Sequence, residues 1–391
     1  LLQVDALKGS GATSSVVSAL AQKGLLRISE QYVRRDPLGN MNAPLSTPLQ
    51  LVPDQETALN KIISSLDSKS ENKPFLLYGV TGSGKTEIYL QALAEVIQRG
   101  RQGIVLVPEI SLTPQTIQRF WGRFPGRVGV LHSQLSPGQR RDEWEAIKDG
   151  AFDVVIGPRS ALGAPLPDIG LIIIDEEHDA AYKQQDPAPR YHARELAERI
   201  ARLGNAVLVL GSATPDISSY HKSQIGEYEL LTLPKRIVPT VNEDIRLESL
   251  PRVNIIDMRE ELKSGNTSIF SKALHHGINE TLDRHEQAIL FLNRRGTATS
   301  VQCRSCGYIE RCKNCSTAYT FHAPNILLCH QCSRRAITTK TCPECSSEKI
   351  RFVGIGTQRV VQEVLNLFPR ARVLRWDRDT ATRQTPHKKI L

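Results

Sequence analysis

The stretch Gly79-Val80-Thr81-Gly82-Ser83-Gly84-Lys85-Thr86 decides the fold of this chain. It matches the phosphate-binding pattern G-x-x-x-x-G-K-[ST] at every fixed position. The apolar run 75–78 before it is typical of a strand, and apolar residues recur at helical spacing from Ile88 to Ile97 after it. A strand, a glycine-rich turn and a helix in this order predict a P-loop in an α/β domain.

The chemistry of such a loop assigns a role to each of its residues. Glycines allow backbone N–H groups to turn towards phosphate oxygens, and the helix N-terminus adds partial positive charge. Lys85 is predicted to reach the β- and γ-phosphates of ATP, and the Thr86 hydroxyl to hold Mg²⁺. The remaining predicted nucleotide-binding residues of the loop are Gly79, Thr81, Gly82, Ser83 and Gly84.

Composition narrows the class of protein. The chain has 391 residues, of which 40% are hydrophobic, enough for two or three domains with cores of their own. Lysine and arginine exceed the acids by 50 to 41, giving a net charge of +9. This surplus favours a polyanionic partner, although solubility alone would also account for it. No apolar run approaches the roughly 18 residues of a membrane span, so we expect a cytoplasmic protein without a membrane partner.

Two further features of the chain concern its redox compartment and its length. All eight cysteines lie between 303 and 345, in pairs, which favours metal binding in a reducing compartment over disulfides. The chain starts with Leu1 rather than Met and stops at Leu391, soon after the strand-like run 373–376. We therefore expect it to be a piece of a longer protein.

Residues 46–235 alternate between strand and helix patterns. The strand candidates, each followed by a polar loop, are 75–78, 104–107, 128–131, 153–156, 171–174 and 207–210. This alternation predicts a parallel sheet with helices on both faces and ligand chemistry at the carboxyl ends of the strands.

One of these strand ends carries acids. The run 171–174 leads directly into Asp175-Glu176-Glu177-His178. Asp175 suits the coordination shell of Mg²⁺, and Glu176 suits the orientation or deprotonation of an attacking water. Together with Lys85, these two acids are the predicted catalytic residues. The bland alternative is a solvated acidic loop.

Residues 1–45 form a small unit of their own. A helix, a turn, a second helix and two alternating basic segments predict a winged-helix domain. Arg27, Arg34 and Arg35 would then lie on DNA phosphates. A domain of the same fold that merely packs against its neighbour fits the pattern equally well.

The cysteine block is the most regular pattern in the chain. Four Cys-x2-Cys pairs occupy 43 residues, 303–345. Tetrahedral Zn²⁺ takes four thiolates in a structural site, so eight supply two closed sites, and His322 and His330 are not needed as ligands. The block spans 302–350 and interrupts an α/β pattern. The two parts of this pattern are 286–301, which contains a predicted buried strand and turn at 288–296, and 351–391. Residues 236–285 are the predicted connector.

These motifs together resemble superfamily 2 helicases. Asp-Glu-x-His after a P-loop is followed by Gly211-Ser212-Ala213-Thr214-Pro215, which in that family links the nucleotide to the nucleic acid. Gln55 matches the glutamine that recognises adenine. Segments 107–115 and 157–162 resemble the single-strand-binding motifs, whose contacts are largely to sugar and phosphate. The implied fold is a RecA-like lobe at 46–235 and the start of a second RecA-like lobe holding the zinc module.

Within that superfamily, two features resemble the PriA family of primosomal helicases. Segments 182–185 and 190–194 are similar to its aromatic-rich loop, whose tyrosines and arginines could stack on unpaired bases. The cysteine block is similar to its zinc module. That resemblance implies nested pairing, one ion on Cys303, Cys306, Cys342 and Cys345 and the other on Cys312, Cys315, Cys329 and Cys332.

The PriA resemblance also implies a function. It implies a nucleoid-associated, ATP-dependent 3′→5′ DNA helicase that acts at stalled or branched forks in replication restart. Its partners would be single-stranded and forked DNA, primosome proteins and single-stranded-DNA-binding protein. The family's 3′-end-binding domain and its later second-lobe motifs are not found, and Gln358 replaces a more usual Glu. A DNA-binding scaffold without hydrolysis is the alternative, and an RNA-directed enzyme of the superfamily lacks support from the cysteines.

Overall fold

The computed structural model describes Leu7 and residues 11–27, 34–39, 43–68, 72–186, 188–239, 245–292, 299–303, 305–322, 326–337, 341–348, 350–353 and 357–375. The chain divides into two compact units, Leu1–Pro251 and Arg252–Leu391. Among the described residues, no helix is both long and apolar enough to cross a bilayer.

The first unit is built on a parallel sheet of seven strands. In chain order they are β1 Phe75–Gly79, β2 Gln102–Leu106, β3 Val128–Val130, β4 Val154–Gly157, β5 Ile169–Asp175, β6 Val207–Ser212 and β7 Glu229–Leu233. Their spatial order is β3-β4-β2-β5-β6-β1-β7. The α/β fold and all six predicted strands are confirmed, and β7 at one edge is an addition to the prediction.

Helices cover both faces of this sheet. They are α2 Pro53–Leu66, α3 Lys85–Gln98, α4 Pro114–Arg123, α5 Pro137–Lys148, α6 Ala193–Leu203 and α7 Ile217–Gln224, preceded by α1 Ser14–Gln22. Successive strand residues enter opposite cores: Leu77 and Ile173 pack with α2 and α3, whereas Leu76 and Ile172 pack with α6. Burial on both sides explains why these strands are continuous apolar runs.

A two-stranded hairpin follows the sheet and contacts the P-loop. Its strands, β8 Arg236–Pro239 and β9 Ile245–Glu248, pair antiparallel. The Ile237 N–H donates to the Gly82 carbonyl at 2.8 Å, and the Val80 N–H donates to the Leu233 carbonyl at 3.1 Å. The first residues of the predicted connector therefore lie against the phosphate-binding loop.

Two of the three arginines assigned to DNA in the first 45 residues, Arg34 and Arg35, have protein partners instead, whereas Arg27 is exposed. Arg34 donates to Glu143 of α5 and its guanidinium lies 4.7 Å from the Phe152 ring centroid. The backbone N–H of Arg35 donates to Asp142 at 3.0 Å, and its guanidinium reaches the same carboxylate. Because both arginines are held by acids of the first unit, the packing alternative replaces the phosphate-binding one at these positions. Most of the predicted strand residues before Arg34 lie outside the described residues.

In its described residues, the second unit contains three helices and an antiparallel sheet. The helices are α8 Met258–Lys263, α9 Lys272–Asp283 and α10 Thr357–Leu367, and Ile278 of α9 packs with Val364 of α10 and with Phe368. The five-stranded sheet has the order β13-β12-β11-β10-β14, from β10 Thr299–Cys303, β11 Thr320–His322, β12 Ile326–Leu328, β13 Arg335–Ile337 and β14 Ile350–Val353.

Several sequence predictions in this unit are wrong. Residues 288–292 were expected to form a buried strand, but they form none, and Ile289 and Phe291 are 94% and 85% exposed. A strand of this kind needs a neighbour on each side, and no described strand pairs with 288–292. The run 373–375 likewise forms no strand. β14 pairs with β10 in the cysteine-bearing sheet rather than extending a parallel one.

Candidate functional site

The phosphate-binding loop has the predicted local structure. Gly79 ends β1, and Lys85 and Thr86 open α3, with Thr81 and Gly82 exposed at the tip between them. Gly82 and Gly84 have φ of +80° and +79°, values that side-chain-bearing residues rarely adopt. A Cβ on Gly84 would lie 2.2 Å from the Gln55 amide nitrogen. Glycine is therefore required at this position for conformation and for space.

Lys85 is a buried cation without an acidic partner at hydrogen-bond distance among the described residues. Its ammonium donates to the Gly79 carbonyl at 2.7 Å. Burial lowers the pKa of Lys85, and the negative charges of Glu176 and Asp175 partly oppose that shift. A buried ammonium at a helix N-terminus, bonded only to a carbonyl, is a fitting receptor for an anion such as phosphate.

Gln55 contacts the loop directly. It is buried at the start of α2, where its amide nitrogen donates to the Ser83 carbonyl at 2.9 Å and its oxygen accepts from the Val52 N–H at 3.0 Å. The amide carries a second N–H, which can donate to a nitrogen of a purine ring. The Ser83 hydroxyl is buried and has no hydrogen-bond partner in the described part of the chain. A buried hydroxyl donor without a protein partner inside the loop fits the binding of an anion such as phosphate.

The sheet brings the acids to the same edge. Asp175 ends β5, which is separated from β1 only by β6, so both strands deliver their carboxyl ends to one side. Tyr89 of α3 donates to the Asp175 carboxylate at 3.0 Å. Burial and the neighbouring Glu176 charge raise the pKa of Asp175, against the hydrogen bond from Tyr89. No sequence motif marks Tyr89 as a site residue, although it lies one helical turn after Lys85.

The motif after the acids is linked to a second loop. His178 Nδ1 and the Ser212 hydroxyl are 2.8 Å apart, and the Thr214 N–H donates to the same hydroxyl at 3.0 Å. Glu176 adopts a left-handed backbone conformation with φ of +48°, and its carboxylate lies 3.6 Å from His178. The acidic motif and the Gly211–Pro215 segment thus touch through side chains.

Glu177 is a residue that the sequence analysis did not single out. Its side chain is fully buried and accepts hydrogen bonds from Arg194 at 2.7 Å, from the Ser219 hydroxyl at 2.9 Å and from the Asp216 N–H at 2.7 Å. These partners come from α6, α7 and the loop before α7. Only its position beside Asp175 and Glu176 could have drawn notice to it.

Two residues of the loop at 182–194, Tyr182 and Arg194, differ from their predicted role. Tyr182 is buried and its hydroxyl donates to the Asp175 carbonyl at 2.6 Å. Arg194 is committed to Glu177. Tyr182 and Arg194 therefore hold the acidic motif in place rather than offering open faces to bases, because their polar ends are satisfied inside the protein. Arg190 remains exposed.

The two predicted single-strand-binding segments meet at one cavity. Residues 107–109 and 158–160 face each other across a space of about 400 Å³, with Tyr182 and Gln184 from the loop just described. Arg140 and Trp144 of α5 also line this cavity. Neither α5 residue figured in the sequence analysis.

The eight cysteines form two clusters. Cys303, Cys306, Cys342 and Cys345 make one, and Cys312, Cys315, Cys329 and Cys332 the other, with all sulfurs of a cluster within 4.8 Å of one another. This is the nested grouping that the family resemblance implies. Closest sulfur pairs are 3.3 to 3.6 Å apart, such as Cys315 with Cys329 and Cys303 with Cys345.

Each cysteine pair sits in the same turn. In all four, the N–H four residues after the first cysteine donates to that cysteine's carbonyl at 2.8 to 2.9 Å. The donor residue has a left-handed backbone each time: Gly307, Ser316, Ser333 and Ser346, with φ between +54° and +80°. Four thiolates about 2.3 Å from a central Zn²⁺ would lie roughly 3.8 Å apart, close to the sulfur distances found. The residues present therefore fit two structural zinc ions.

Comparison with known proteins agrees with this site. Residues 52–223 match the DEAD/DEAH box helicase family model. The replication restart protein PriA of Bacillus subtilis is 47% identical over 385 residues, which cover 98% of this chain and 47% of the relative. The PriA proteins of a Synechocystis species and of Haemophilus influenzae are 42% and 39% identical, over 99% and 98% of this chain and 46% and 51% of their own lengths.

The chain thus spans about half the length of the curated relatives it matches. Within that span, similarity runs through both units, and the helicase model covers the P-loop, the acids and the Gly211–Pro215 segment. From these matches and from the geometry of its nucleotide and cysteine sites, the chain belongs to the PriA-type superfamily 2 helicases.

Proposed function

We propose that the protein is an ATP-dependent 3′→5′ DNA helicase that acts at stalled or branched replication forks in replication restart and primosome assembly. The observation that carries this proposal is the convergence of Lys85, Asp175 and Glu176 at one edge of the parallel sheet. A buried ammonium that feels the charge of two acids but is hydrogen-bonded to neither suits phosphoryl transfer. The names of the relatives supply the replication context.

Each residue of the site has a separate task in nucleotide hydrolysis. The loop N–H groups and Lys85 bind the phosphates, and the Gln55 amide recognises adenine with its remaining N–H. Thr86 and Asp175 are the protein ligands for Mg²⁺, which supplies charge neutralisation on the transferred phosphoryl group when bound. Glu176 orients the attacking water and accepts its proton. Tyr89 and Tyr182 fix the position of Asp175 through its carboxylate and its carbonyl.

Hydrolysis is coupled to DNA movement through the segment after β6. Glu176 lies beside His178, which contacts Ser212, whose hydroxyl accepts from the Thr214 N–H. A change at the water-positioning acid therefore reaches residues 212–214 through two side-chain contacts. In our proposal this segment passes nucleotide state to single-stranded DNA held near residues 107–115 and 157–162.

The remaining parts of the chain serve the DNA and its proteins. The net charge of +9 favours phosphate contacts, so binding to DNA is expected to be steeply salt-dependent and nearly indifferent to sequence. The zinc module, 302–350, is assigned to strand displacement and to contacts with primosome proteins and single-stranded-DNA-binding protein. We divide the chain into a winged-helix-like domain at 1–45, a first RecA-like lobe at 46–235 and a connector at 236–285. The start of a second lobe, 286–301 with 351–391, holds the zinc module at 302–350. Cytoplasmic, nucleoid-associated action follows from this role.

The deciding experiment is DNA-stimulated ATP hydrolysis by the longest natural form of the protein. We expect stimulation by forked and single-stranded DNA, and unwinding of a duplex with a 3′ single-stranded tail in preference to one with a 5′ tail. DNA binding without any stimulated hydrolysis would overturn the helicase proposal in favour of a primosome scaffold. A preference for the 5′ tail would overturn the direction alone.

A further inference from the structure

The cavity of about 400 Å³ in the first unit is the feature that the proposed function leaves without an occupant. It opens at the carboxyl ends of β2, β3 and β4, which are neighbours in the half of the sheet remote from the P-loop on β1. Its walls are residues 107–109, 131–133 and 158–160. Its volume lies within the roughly 300–1,000 Å³ of typical small-molecule sites.

The interior of this cavity suits a neutral, flat group better than an anion. Val107 and Leu131 are buried apolar walls, with Pro108 and Pro158 beside them. The carboxylate of Glu109, which accepts from the Ser133 hydroxyl, would repel a phosphate placed inside. Burial lowers the pKa of His132, despite the nearby Glu109 charge, so its ring is neutral at pH 7 and offers no compensating cation.

Cations and an aromatic ring lie on the helix side. Arg140 is exposed on α5 and is the partner of the Ser133 carbonyl at 3.4 Å, while Arg159 is half-buried. Trp144, one turn after Arg140, also lines the cavity and is 42% exposed, so its ring is open to a ligand. Lys148 Nζ lies 5.9 Å from its ring centroid. An apolar interior with a basic, aromatic side matches one nucleotide unit, base inside and phosphate outside.

We propose that this cavity binds one unstacked base of single-stranded DNA, with Trp144 as the stacking face and Arg140 and Arg159 on the flanking phosphates. This inference rests on the proposed DNA-binding function and adds to it a position that binds a base without selecting among bases. It differs from the sugar-phosphate contacts expected of segments 107–115 and 157–162, since here the base itself is buried. Glu109 can accept from an N–H on the edge of the base.

The same cavity is connected to the nucleotide site. Tyr182 lines it and donates to the Asp175 carbonyl at 2.6 Å. Arg159 donates to the carbonyls of Ala181 and Lys183, at 2.7 and 3.2 Å, so it holds the loop that carries Tyr182. A base in the cavity would therefore contact Tyr182, the side chain that positions Asp175, the acid proposed to bind magnesium.

The test compares two oligonucleotides that share a backbone and differ in bases. Binding of the 391-residue chain to a 20-nucleotide oligo-dT is measured beside binding to an abasic oligonucleotide of equal length, at one salt concentration. Stacking of a base on an aromatic ring predicts that Trp144→Ala weakens oligo-dT binding by about 10-fold and leaves abasic binding within about 2-fold. Trp144→Phe is expected to restore most of the loss. Tyr220→Ala is the matched control, because Tyr220 is 43% exposed in the same unit and does not line the cavity.

The possible results separate this inference from the proposed function. If Trp144→Ala loses affinity for oligo-dT alone and keeps its melting temperature, the result supports the base site. Equal loss on both oligonucleotides, or no loss with either, overturns the base site while DNA binding by the chain stands. Tight binding of an unrelated peptide in competition with oligo-dT at Trp144 would also overturn it. If the unmodified chain binds neither oligonucleotide, the DNA-binding function itself fails.

Discussion

Arg194 and Glu177 form a buried ion pair, with the guanidinium nitrogen 2.7 Å from a carboxylate that has no exposed surface. The carboxylate also satisfies Ser219 and the Asp216 N–H. The Glu177 side chain thus links the end of the acidic motif to α6, to α7 and to the loop that follows Gly211–Pro215. Glu177 follows Asp175 and Glu176 in the sequence, so the pair lies next to the two acids proposed to be catalytic.

Removing that carboxylate should destabilise the first unit severely. Glu177→Ala leaves Ser219 and the Asp216 N–H without this acceptor, and leaves the partly buried Arg194 with Asp216, 3.2 Å away, as its remaining carboxylate. Loss of one partner of a buried pair costs about 3–5 kcal/mol, and we expect the lower end of this range because Asp216 remains. Urea unfolding followed by tryptophan fluorescence reports on this unit, since Trp121 and Trp144 of the three tryptophans belong to it. Glu145→Ala is the control: its pair with Arg141 is exposed, so we expect a change below about 1 kcal/mol. Equal effects of the two variants would contradict the buried-pair account.

Lys85→Ala should abolish nucleotide chemistry and spare DNA binding. The substitution removes the charge aimed at the transferred phosphoryl group, so turnover in the longest natural form should fall roughly 100-fold or more. Fluorescent ADP binding to the 391-residue chain should weaken in parallel. Lys61→Ala removes an exposed lysine that pairs with Glu229 at 2.7 Å, and serves as the control. Undiminished turnover in Lys85→Ala would refute the assignment of the P-loop.

The cysteine clusters should hold two zinc ions that fold the module. A structural Zn²⁺ contributes on the order of 10–16 kcal/mol of apparent binding energy. The core around Leu327 and Tyr319 is small, and cysteines themselves form part of it. Metal analysis of the purified chain should give two zinc ions, and chelation should unfold this module while nucleotide binding at Lys85 persists. One zinc ion or an iron signal would be incompatible with the two clusters.

Single substitutions should reveal the pairing. Cys303→Ser and Cys345→Ser are expected to weaken the same site, and Cys312→Ser and Cys329→Ser the other, because the structure places the sulfurs in these groups. The measurement is zinc release from each variant under a chelator, singly and in pairs within or across groups. Variants that segregated as the first four and the last four cysteines would contradict the nested grouping.

Stability should depend on pH through Glu143. Burial raises the pKa of Glu143, against the attraction of Arg34. Because the folded pKa lies above the unfolded one, the folded state holds this proton more tightly. The resulting stabilisation is complete below the unfolded value of about 4.3 and is lost as pH rises through the folded pKa. Glu143→Gln should therefore gain stability relative to the unmodified chain on going from pH 4.5 to 7, as measured by melting temperature. Glu145→Gln, on the exposed side of α5, should show no such trend.

The parts that the sequence predicts well are those with local causes. The P-loop needs its glycines wherever it occurs, and strands such as β5 are buried on both faces, so their composition alone indicates them. β7 was missed because it is an edge strand whose exposed Thr232 interrupts the apolar run. Residues 288–292 were misjudged because an apolar run does not specify whether neighbouring strands will cover it.

The parts that escaped prediction depend on distant residues. Arg34 and Glu143 are 109 positions apart, and nothing near Arg34 distinguishes an arginine that will meet a buried acid from one on DNA. The same holds for Glu177, whose three partners lie 17 to 42 residues further along. Trp144 went unnoticed because its helix is largely polar, and only the fold brings it beside Pro108 and Arg159.

The hydrogen bond from the Ile237 amide to the Gly82 carbonyl provides an internal probe of the phosphate-binding loop. This amide faces the loop tip rather than its partner strand, so its exchange with deuterated solvent reports on one contact only. If nucleotide draws the tip away from the hairpin, this proton exchanges faster while its neighbours in the sheet stay protected. The state of the loop can then be followed in the unmodified protein, without dye or mutation, by a single amide.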